Sequence, residues 1–310
     1  FLLNMSGPSP ASLLRNKLLP TVFDQAQCLR CFSSHGASTS APASSSPQSN
    51  SNNSPPSALA QANSDTAGQH RRRNRFYKTV TVLNAGEAGY QVALDSRPVK
   101  TPGRHPLILP THPLALAIAA EWEWQKSGKP QPHTMPMMSI AAMAIDKPKP
   151  RERLIEDLLK YAHTDVTCCR YEPGKVADRQ AEMYSPLLAW AHETLGWSLV
   201  ASDSIAGPSQ SNEAISAVRR FLEGLDAFRL VAMEQLTATC KSVVIAAALL
   251  HGRLTPAEAF EASRLEETMQ IEEWGMVEAG HDLDIAEATT RITAPSIFVR
   301  LLLLDRKAQN

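Results

Sequence analysis

The chain has 310 residues, of which 43% are hydrophobic, and its 31 basic residues balance 31 acidic ones to a formal net charge of zero. This length suits about two domains, and the neutral charge gives no electrostatic reason to expect a nucleic-acid partner. The longest apolar run, Val243–Leu250, is too short to span a bilayer, so we expect no membrane insertion.

The first 35 residues have the composition of a targeting segment. They combine basic residues with leucines that would share one side of a short helix, namely Arg15, Lys17 and Arg30 with Leu13, Leu14, Leu18 and Leu19. A positively charged amphipathic helix is typical of mitochondrial transit peptides. We therefore expect a transit peptide over residues 1–35 and a location in the mitochondrial matrix. Because the first residue is Phe1, we expect the natural start to lie further upstream.

Residues 36–73 are rich in Ser, Pro, Asn and Ala, and no aromatic residue occurs between Phe32 and Phe76. Such a segment buries too little apolar surface to offset the entropy lost on ordering. We expect a disordered, low-complexity linker over 36–73.

A first domain of mixed structure is expected over residues 74–175. Residues rich in β-formers and turn signals predict short antiparallel strands, at 76–83, 90–94, 97–101 and 107–109. Apolar residues then recur at helical spacing, which predicts helices at 112–126, 137–145 and 152–163, with Trp122 in the core. A further strand is predicted at 166–171.

The rest of the chain, residues 176–310, is expected to form an all-helical domain. Helices are predicted at 178–195, 210–222, 226–250, 256–274 and 284–304, with one short strand at 198–202. Short links between amphipathic helices favour a bundle. Pro295 should kink the last helix or restart it near Ala294, because proline lacks an N–H. The predicted fold class is therefore α+β, with a small antiparallel sheet-plus-helix domain before the helical one.

The helix predicted at 256–274 carries the most unusual feature of the sequence. Thr255 and Glu258 form a capping box at its start, and Gly275 is suited to end it. Between Glu258 and Glu287 there are ten acidic residues and a single basic one, Arg264. An acidic face beside Trp274 indicates a surface for a basic, partly apolar partner. The alternative is a solvated acidic face with Trp274 packed on the protein's own core.

Signatures of catalysis are missing from the sequence. It has neither a glycine-rich phosphate loop nor a Gly-x-Ser-x-Gly nucleophile elbow. His281-Asp282-x-Asp284 lacks a partner at ligand spacing, and Glu266 and Glu267 lack a nucleophile. Five cysteines, two of them adjacent, do not form a disulfide framework, so reduced thiols are expected. We therefore expect no catalytic, metal or cofactor site and favour a binding protein.

Several motifs occur together in a fixed order, and their series runs from about residue 75 to 290. They are Arg75-Phe76-Tyr77-Lys78, Leu94-Asp95-Ser96-Arg97-Pro98, Ala119-Ala120-Glu121-Trp122, Thr239-x-Lys241-Ser242, Arg264-Leu265-Glu266-Glu267 and Gln270-x-x-x-Trp274-Gly275. This ordered set resembles the mitochondrial ATP synthase assembly factor 2 family, which are chaperones of the alpha subunit. Two departures are Ser96, where the family usually has glycine in a turn of positive φ, and Pro295.

The resemblance implies a two-domain chaperone of the mitochondrial matrix that is not an enzyme. It would hold the unassembled alpha subunit of the soluble catalytic sector of ATP synthase until a beta subunit replaces it. The partner-binding residues would be Glu267, Gln270, Glu273, Trp274, Gly275 and Glu278, and we expect a monomer without a cofactor. Two alternatives stay open: a small-molecule enzyme that uses Glu266 or His281 at the cleft between the domains, and a permanent structural subunit.

Overall fold

The computed structural model describes residues 75–126, 128–204 and 206–307, and the transit peptide and linker expected over 1–73 lie outside these residues. Four antiparallel strands form the sheet: β1 Val80–Asn84, β2 Tyr90–Leu94, β3 Arg97–Pro98 and β4 Ile108–Leu109. The central strand is β2, because it pairs with all of β1, with β3 near its end and with β4 near its start. The antiparallel hairpin predicted from the sequence is confirmed.

The turn between β2 and β3 consists of two residues with left-handed backbone conformation. Asp95 has a φ of 48° and Ser96 a φ of 68°. The positive φ expected at Ser96 is therefore confirmed, although glycine would adopt it at lower cost. Asp95 offsets part of the strain, since its carboxylate accepts hydrogen bonds from the backbone N–H groups of Lys78 and Thr79 at 3.0 and 2.9 Å.

Helices make up most of the rest of the described chain. They are α1 His112–Glu123, α2 Pro136–Asp146, α3 Arg151–His163, α4 Lys175–Leu195, α5 Asn212–Glu223, α6 Ala227–Cys240, α7 Val243–Leu250, α8 Pro256–Ser263, α9 Leu265–Trp274 and α10 His281–Lys307. A small antiparallel sheet followed by helices confirms the predicted fold class. In the described ranges, no helix combines the length and the apolar character that crossing a bilayer demands.

The first two helices are joined by a carboxylate. Glu121 on α1 accepts hydrogen bonds from the backbone N–H groups of Met137 and Met138, at 2.7 and 2.8 Å. These N–H groups belong to the first turn of α2, where helical partners are missing. Beside it, Trp122 is buried in the core, as the sequence predicted.

The single helix predicted over 226–250 is wrong, because α6 ends at Cys240 and α7 begins at Val243. Lys241 between them has a φ of 53°, and the Ser242 hydroxyl caps α7 by accepting the N–H of Ile245 at 3.0 Å. The buried Asp165 carboxylate lies against this break and accepts the N–H of Val243 at 2.8 Å. A distant side chain thus favours the start of a new helix.

Three further predictions of local structure are also wrong. Residues 166–171 and 198–202 form only an isolated bridge between Cys169 and Ser202, because Asp165 ties the first segment into a turn through Thr167. The helix predicted over 256–274 is divided at residue 264 into α8 and α9. Of the two effects expected of Pro295, a kink stays a prediction, whereas the restart near Ala294 does not occur, because α10 is continuous from His281 to Lys307.

Buried side chains form two clusters. The sheet core contains side chains from the sheet, α1 and α2, together with Val231 of α6 and Phe298 of α10. The helical core contains side chains from α3 to α8, including Leu230 and Met233 of α6. Helix α6 therefore contributes to both cores. The domain boundary expected between residues 175 and 176 stays a prediction.

Candidate functional site

The acidic segment singled out in the sequence begins at α9, a helix with little apolar packing. Leu265 is its one buried residue, and the others are half-buried or exposed. Arg264 anchors its start, because the buried guanidinium of this residue forms an ion pair with Asp284 and lies 5.6 Å from the centre of the Phe260 ring. The start of α9 is thus fixed, while most of its length faces solvent.

Polar contacts of three glutamates hold α9 on the protein. Glu266 accepts hydrogen bonds from the hydroxyl of Tyr171 at 3.1 Å and from the amide of Gln180 at 3.3 Å. The carboxylate of Glu267 lies 3.4 Å from the ammonium of Lys241. The carboxylate of Glu272 accepts hydrogen bonds from two guanidinium nitrogens of Arg179, at 2.6 and 3.2 Å. The attachment is therefore mostly electrostatic.

The contacts of α9 shift the pKa of two groups on its anchoring face. The hydrogen bond from Arg179 lowers the pKa of Glu272, so that carboxyl is ionised at neutral pH. The charge of Glu266 raises the pKa of the Tyr171 hydroxyl, which therefore stays protonated and donates its hydrogen bond to Glu266.

The predicted binding residues occupy α9 and the loop that follows it. Glu267, Gln270 and Trp274 are three and four residues apart, so they lie along one side of the helix. Trp274 is 74% exposed, and the alternative in which it packs on the protein's own core is wrong. Gly275 ends the helix with a φ of 86°, and its N–H binds the carbonyl oxygen of Ile271 at 2.9 Å.

The two remaining predicted residues, Glu273 and Glu278, are exposed. Neither forms an ion pair within the part of the chain that the structure describes. Of the acidic residues on this surface, these two are therefore available to a partner without first breaking a contact.

Sequence reasoning missed the apolar part of the surface. Met276, Val277 and Leu283 follow Trp274 closely and are 58%, 62% and 66% exposed. We call these three residues together with Trp274 the apolar ridge. Met276, Val277 and Leu283 are visible in the sequence between Gly275 and Asp284. Only the structure shows that nothing in the described chain covers them.

The two residues considered for an enzyme have structural contacts here. Glu266 is held by Tyr171 and Gln180, as described above. His281 accepts a hydrogen bond at Nδ1 from the N–H of Val277 at 3.2 Å, which shapes the loop of the apolar ridge. Both side chains therefore support the local structure of the surface.

Comparison with known proteins connects this geometry to one family. Residues 74–192 match the sequence model of the ATP12 chaperone protein family. Protein atp12, mitochondrial, from Schizosaccharomyces pombe is 30% identical over 243 residues, which cover 74% of this chain and 82% of the yeast protein.

Solved structures agree with the sequence match. Atp12 from Paracoccus denitrificans is 32% identical and superposes with a TM-score of 0.68, covering 74% of this chain and 98% of the bacterial one. The Atu1473 protein from Agrobacterium tumefaciens is 31% identical with a TM-score of 0.67, covering 73% of this chain and 84% of that protein. On sequence and fold together, the chain belongs to the ATP12 chaperone family.

Proposed function

We propose that this protein binds the unassembled alpha subunit of the soluble catalytic sector of mitochondrial ATP synthase, prevents its aggregation and hands it over to the beta subunit. The proposal rests on membership of the ATP12 chaperone family and on the resemblance to assembly chaperones of that subunit. The observation that carries it is the apolar ridge, an uncovered hydrophobic segment beside exposed carboxylates. In this proposal the protein acts by binding and not as an enzyme.

The two kinds of side chain on this surface have different tasks. Glu273 and Glu278 carry uncommitted negative charge, which would steer and orient a basic client surface. The apolar ridge, which includes Trp274, would cover apolar surface on the client that the beta subunit later buries. Glu267 and Gln270 would extend the surface along α9, and Gly275 ends this helix next to Trp274.

Handover requires that the chaperone leaves when the beta subunit arrives. A small apolar surface with a charged border suits this, because interfaces of this kind have modest affinity. We expect a dissociation constant of about 1 μM, which corresponds to about 8 kcal/mol of binding free energy. Tighter binding would slow the exchange, since affinity differences lie mostly in the dissociation rate.

A mitochondrial relative and the composition of the first residues support the location that we propose. The Schizosaccharomyces relative is mitochondrial by name, and residues 1–35 have the composition of a transit peptide. We propose the matrix as the compartment, residues 36–73 as a linker, and domains over 74–175 and 176–310. We also propose that the protein acts as a monomer.

Light scattering of the isolated alpha subunit during refolding tests the function. The full chain should suppress the signal at a near-equimolar ratio, and Trp274→Ala should weaken the suppression. Trp124→Ala is a matched control, because Trp124 is 76% exposed but lies at the end of α1. Failure of the folded protein to suppress scattering would remove the proposal. Equal effects of the two tryptophan variants would remove the apolar ridge as its site.

A further inference from the structure

A cavity lies between α2, α3 and α6, away from α9. Its volume is about 360 Å³, and Met143, Lys147, Leu154, Ala227, Leu230 and Val231 are among the residues that line it. We call it the Lys147 cavity. Pockets that hold small molecules have volumes of about 300–1,000 Å³ and are lined mainly by apolar side chains. The cavity has the size and the lining of such a pocket.

The cavity has an apolar floor and a charged mouth. Leu154, Leu230 and Val231 form the floor and are almost fully buried, whereas Lys147 and Lys149 at the mouth are exposed. A ligand with one apolar part and one polar end would match both regions. Its apolar part would leave water, and its polar end would remain near the surface.

The charges at the mouth favour a negative ligand. Three basic residues line the cavity, Lys147, Lys149 and Arg151, against one acidic residue, Glu234. The ammonium of Lys149 is engaged by the Glu234 carboxylate at 3.0 Å. The guanidinium of Arg151 binds carbonyl oxygens at the end of α5, the closest being that of Leu225 at 2.6 Å.

Lys147 is the uncommitted cation of this group. Within residues 75–126, 128–204 and 206–307, its ammonium has neither a hydrogen bond nor an ion pair. Its backbone is also left-handed, with a φ of 46°, and it ends α2 at a position where glycine is usual. A left-handed residue with an unpaired charge beside a cavity is a candidate for a role in binding.

We propose that the Lys147 cavity binds a single-chain amphiphile, a molecule with one flexible apolar chain that ends in a carboxylate or a phosphate. The chain would pack on Leu154, Leu230 and Val231, and the anionic end would pair with Lys147. Because α2 belongs to the sheet core and α3 to the helical core, the ligand would contact both. This chemistry has two sources, a free fatty acid and a single-chain phospholipid.

Isothermal titration of the full chain tests the proposal, with monomeric dodecanoate as the first probe. Dodecanoate should bind with a stoichiometry of one, and the neutral alcohol dodecanol should bind about tenfold more weakly, since it cannot pair with a cation. Lysophosphatidate with the same chain length is the third probe. If it binds more tightly, the source is a phospholipid, and if dodecanoate binds more tightly, the source is a fatty acid. Binding of neither anion overturns the proposal.

Lys147→Gly is a variant that separates binding from folding. It removes the cation but relieves the left-handed backbone, so the unfolding temperature should not fall, while dodecanoate binding weakens about tenfold. Lys241→Gly is the matched control, because Lys241 also ends a helix with a positive φ, of 53°, but does not line the cavity. Dodecanoate binding should be unchanged there.

Two other variants locate the probe. Ala227→Phe should fill the cavity from the start of α6 and abolish binding, whereas Trp274→Ala should leave dodecanoate affinity unchanged. Equal affinity of the native protein and Lys147→Gly would overturn the proposal. So would a loss of binding with Trp274→Ala, because the amphiphile would then be on the apolar ridge.

Discussion

The carboxylate of Asp165 accepts a 2.7 Å hydrogen bond from the hydroxyl group of Ser242, the residue that caps the start of α7. Asp165 is fully buried, and it also accepts the backbone N–H groups of Thr167, Val243 and Val244. One side chain therefore accepts hydrogen bonds from backbone N–H groups in both the turn after α3 and the first turn of α7. These two segments are far apart in the sequence and have no strand pairing to join them.

Replacement of this carboxylate should be severely destabilising. In Asp165→Asn the amide nitrogen faces N–H groups or hydroxyls and leaves at least one buried donor without an acceptor. We expect a loss of about 2–4 kcal/mol in the free energy of unfolding, measured by denaturant titration. Ser242→Ala removes the cap of α7 and one of the donors to Asp165, and it should cost about 1 kcal/mol. A loss below that of Ser242→Ala would contradict the central role of Asp165.

The turn between β2 and β3 allows a paired test of backbone strain. Ser96→Gly should stabilise the protein by about 0.5–1 kcal/mol, because the φ of 68° suits glycine and the Ser96 hydroxyl forms no hydrogen bond with the described residues. Asp95→Gly should instead destabilise it, because the hydrogen bonds to Lys78 and Thr79 disappear. Thermal unfolding of both variants measures this. If Asp95→Gly also stabilises the protein, the Asp95 carboxylate has little effect on stability.

Glu121 should make stability depend on pH. Burial raises the pKa of its carboxyl to about 7, against about 4.3 in an unfolded chain. Between these two pH values the folded state binds more protons than the unfolded chain. The contribution of Glu121 to the free energy of unfolding is therefore fully present below pH ~4.3 and is lost as the pH rises to about 7.

Comparison with Glu121→Gln isolates that contribution. From pH 5 to 7, the free energy of unfolding of the native protein should fall relative to that of the variant, by at most about 3 kcal/mol. Burial lowers the pKa of His251, which gives an opposite slope, but this slope is common to both proteins and cancels. Parallel curves would show that the Glu121 carboxyl has no raised pKa.

The Glu267→Lys variant should separate client binding from stability. The ion pair joins an exposed Lys241 to a half-buried Glu267 at the surface, so its loss should cost less than about 1 kcal/mol. Suppression of alpha-subunit scattering should nevertheless weaken, because the charge on the proposed surface is reversed. Glu156→Lys is the matched control, since Glu156 on α3 forms another surface ion pair, with Arg219 on α5. If Glu267→Lys lowers the unfolding temperature strongly, Glu267 is a structural residue.

Salt should loosen α9 more than any buried helix. Its contacts through Glu267 and Glu272 are exposed ion pairs, which are screened at ionic strengths near 1 M. We expect amide hydrogen exchange in α9 to accelerate several-fold between low and high salt. Exchange in α7, which is almost entirely buried, should be unchanged and serves as the internal reference. Salt-independent exchange in α9 would mean that apolar packing holds it.

Local patterns predicted the elements whose causes lie nearby in the sequence. The hairpin before Asp95 and Ser96, the helix that contains Trp122 and the capping box at Thr255 depend on neighbours a few residues away. The breaks at residues 241 and 264 were missed, because the groups that favour them, the carboxylates of Asp165 and Asp284, are distant in sequence.

The candidate surface was predictable only in part. Its acidic residues and Trp274 are visible in composition and spacing. Exposure of Met276 and Val277 was not, since hydrophobic residues in a loop are covered in some folds and open in others. The Lys147 cavity also needed the structure, because its floor and its mouth come from three helices that are separated in the chain.

Helix α10, which comes late in the sequence, completes the sheet core, whose strands come early in the described chain. Phe298 and Leu302 of α10 lie in the sheet core, and the Thr111 hydroxyl donates to the carbonyl oxygen of Leu301 at 3.0 Å across 190 residues. During synthesis from the N-terminus, the sheet core therefore stays incomplete until α10 has been made. Until α10 packs, apolar side chains of the sheet core stay uncovered. The growing chain is therefore itself open to aggregation during this interval.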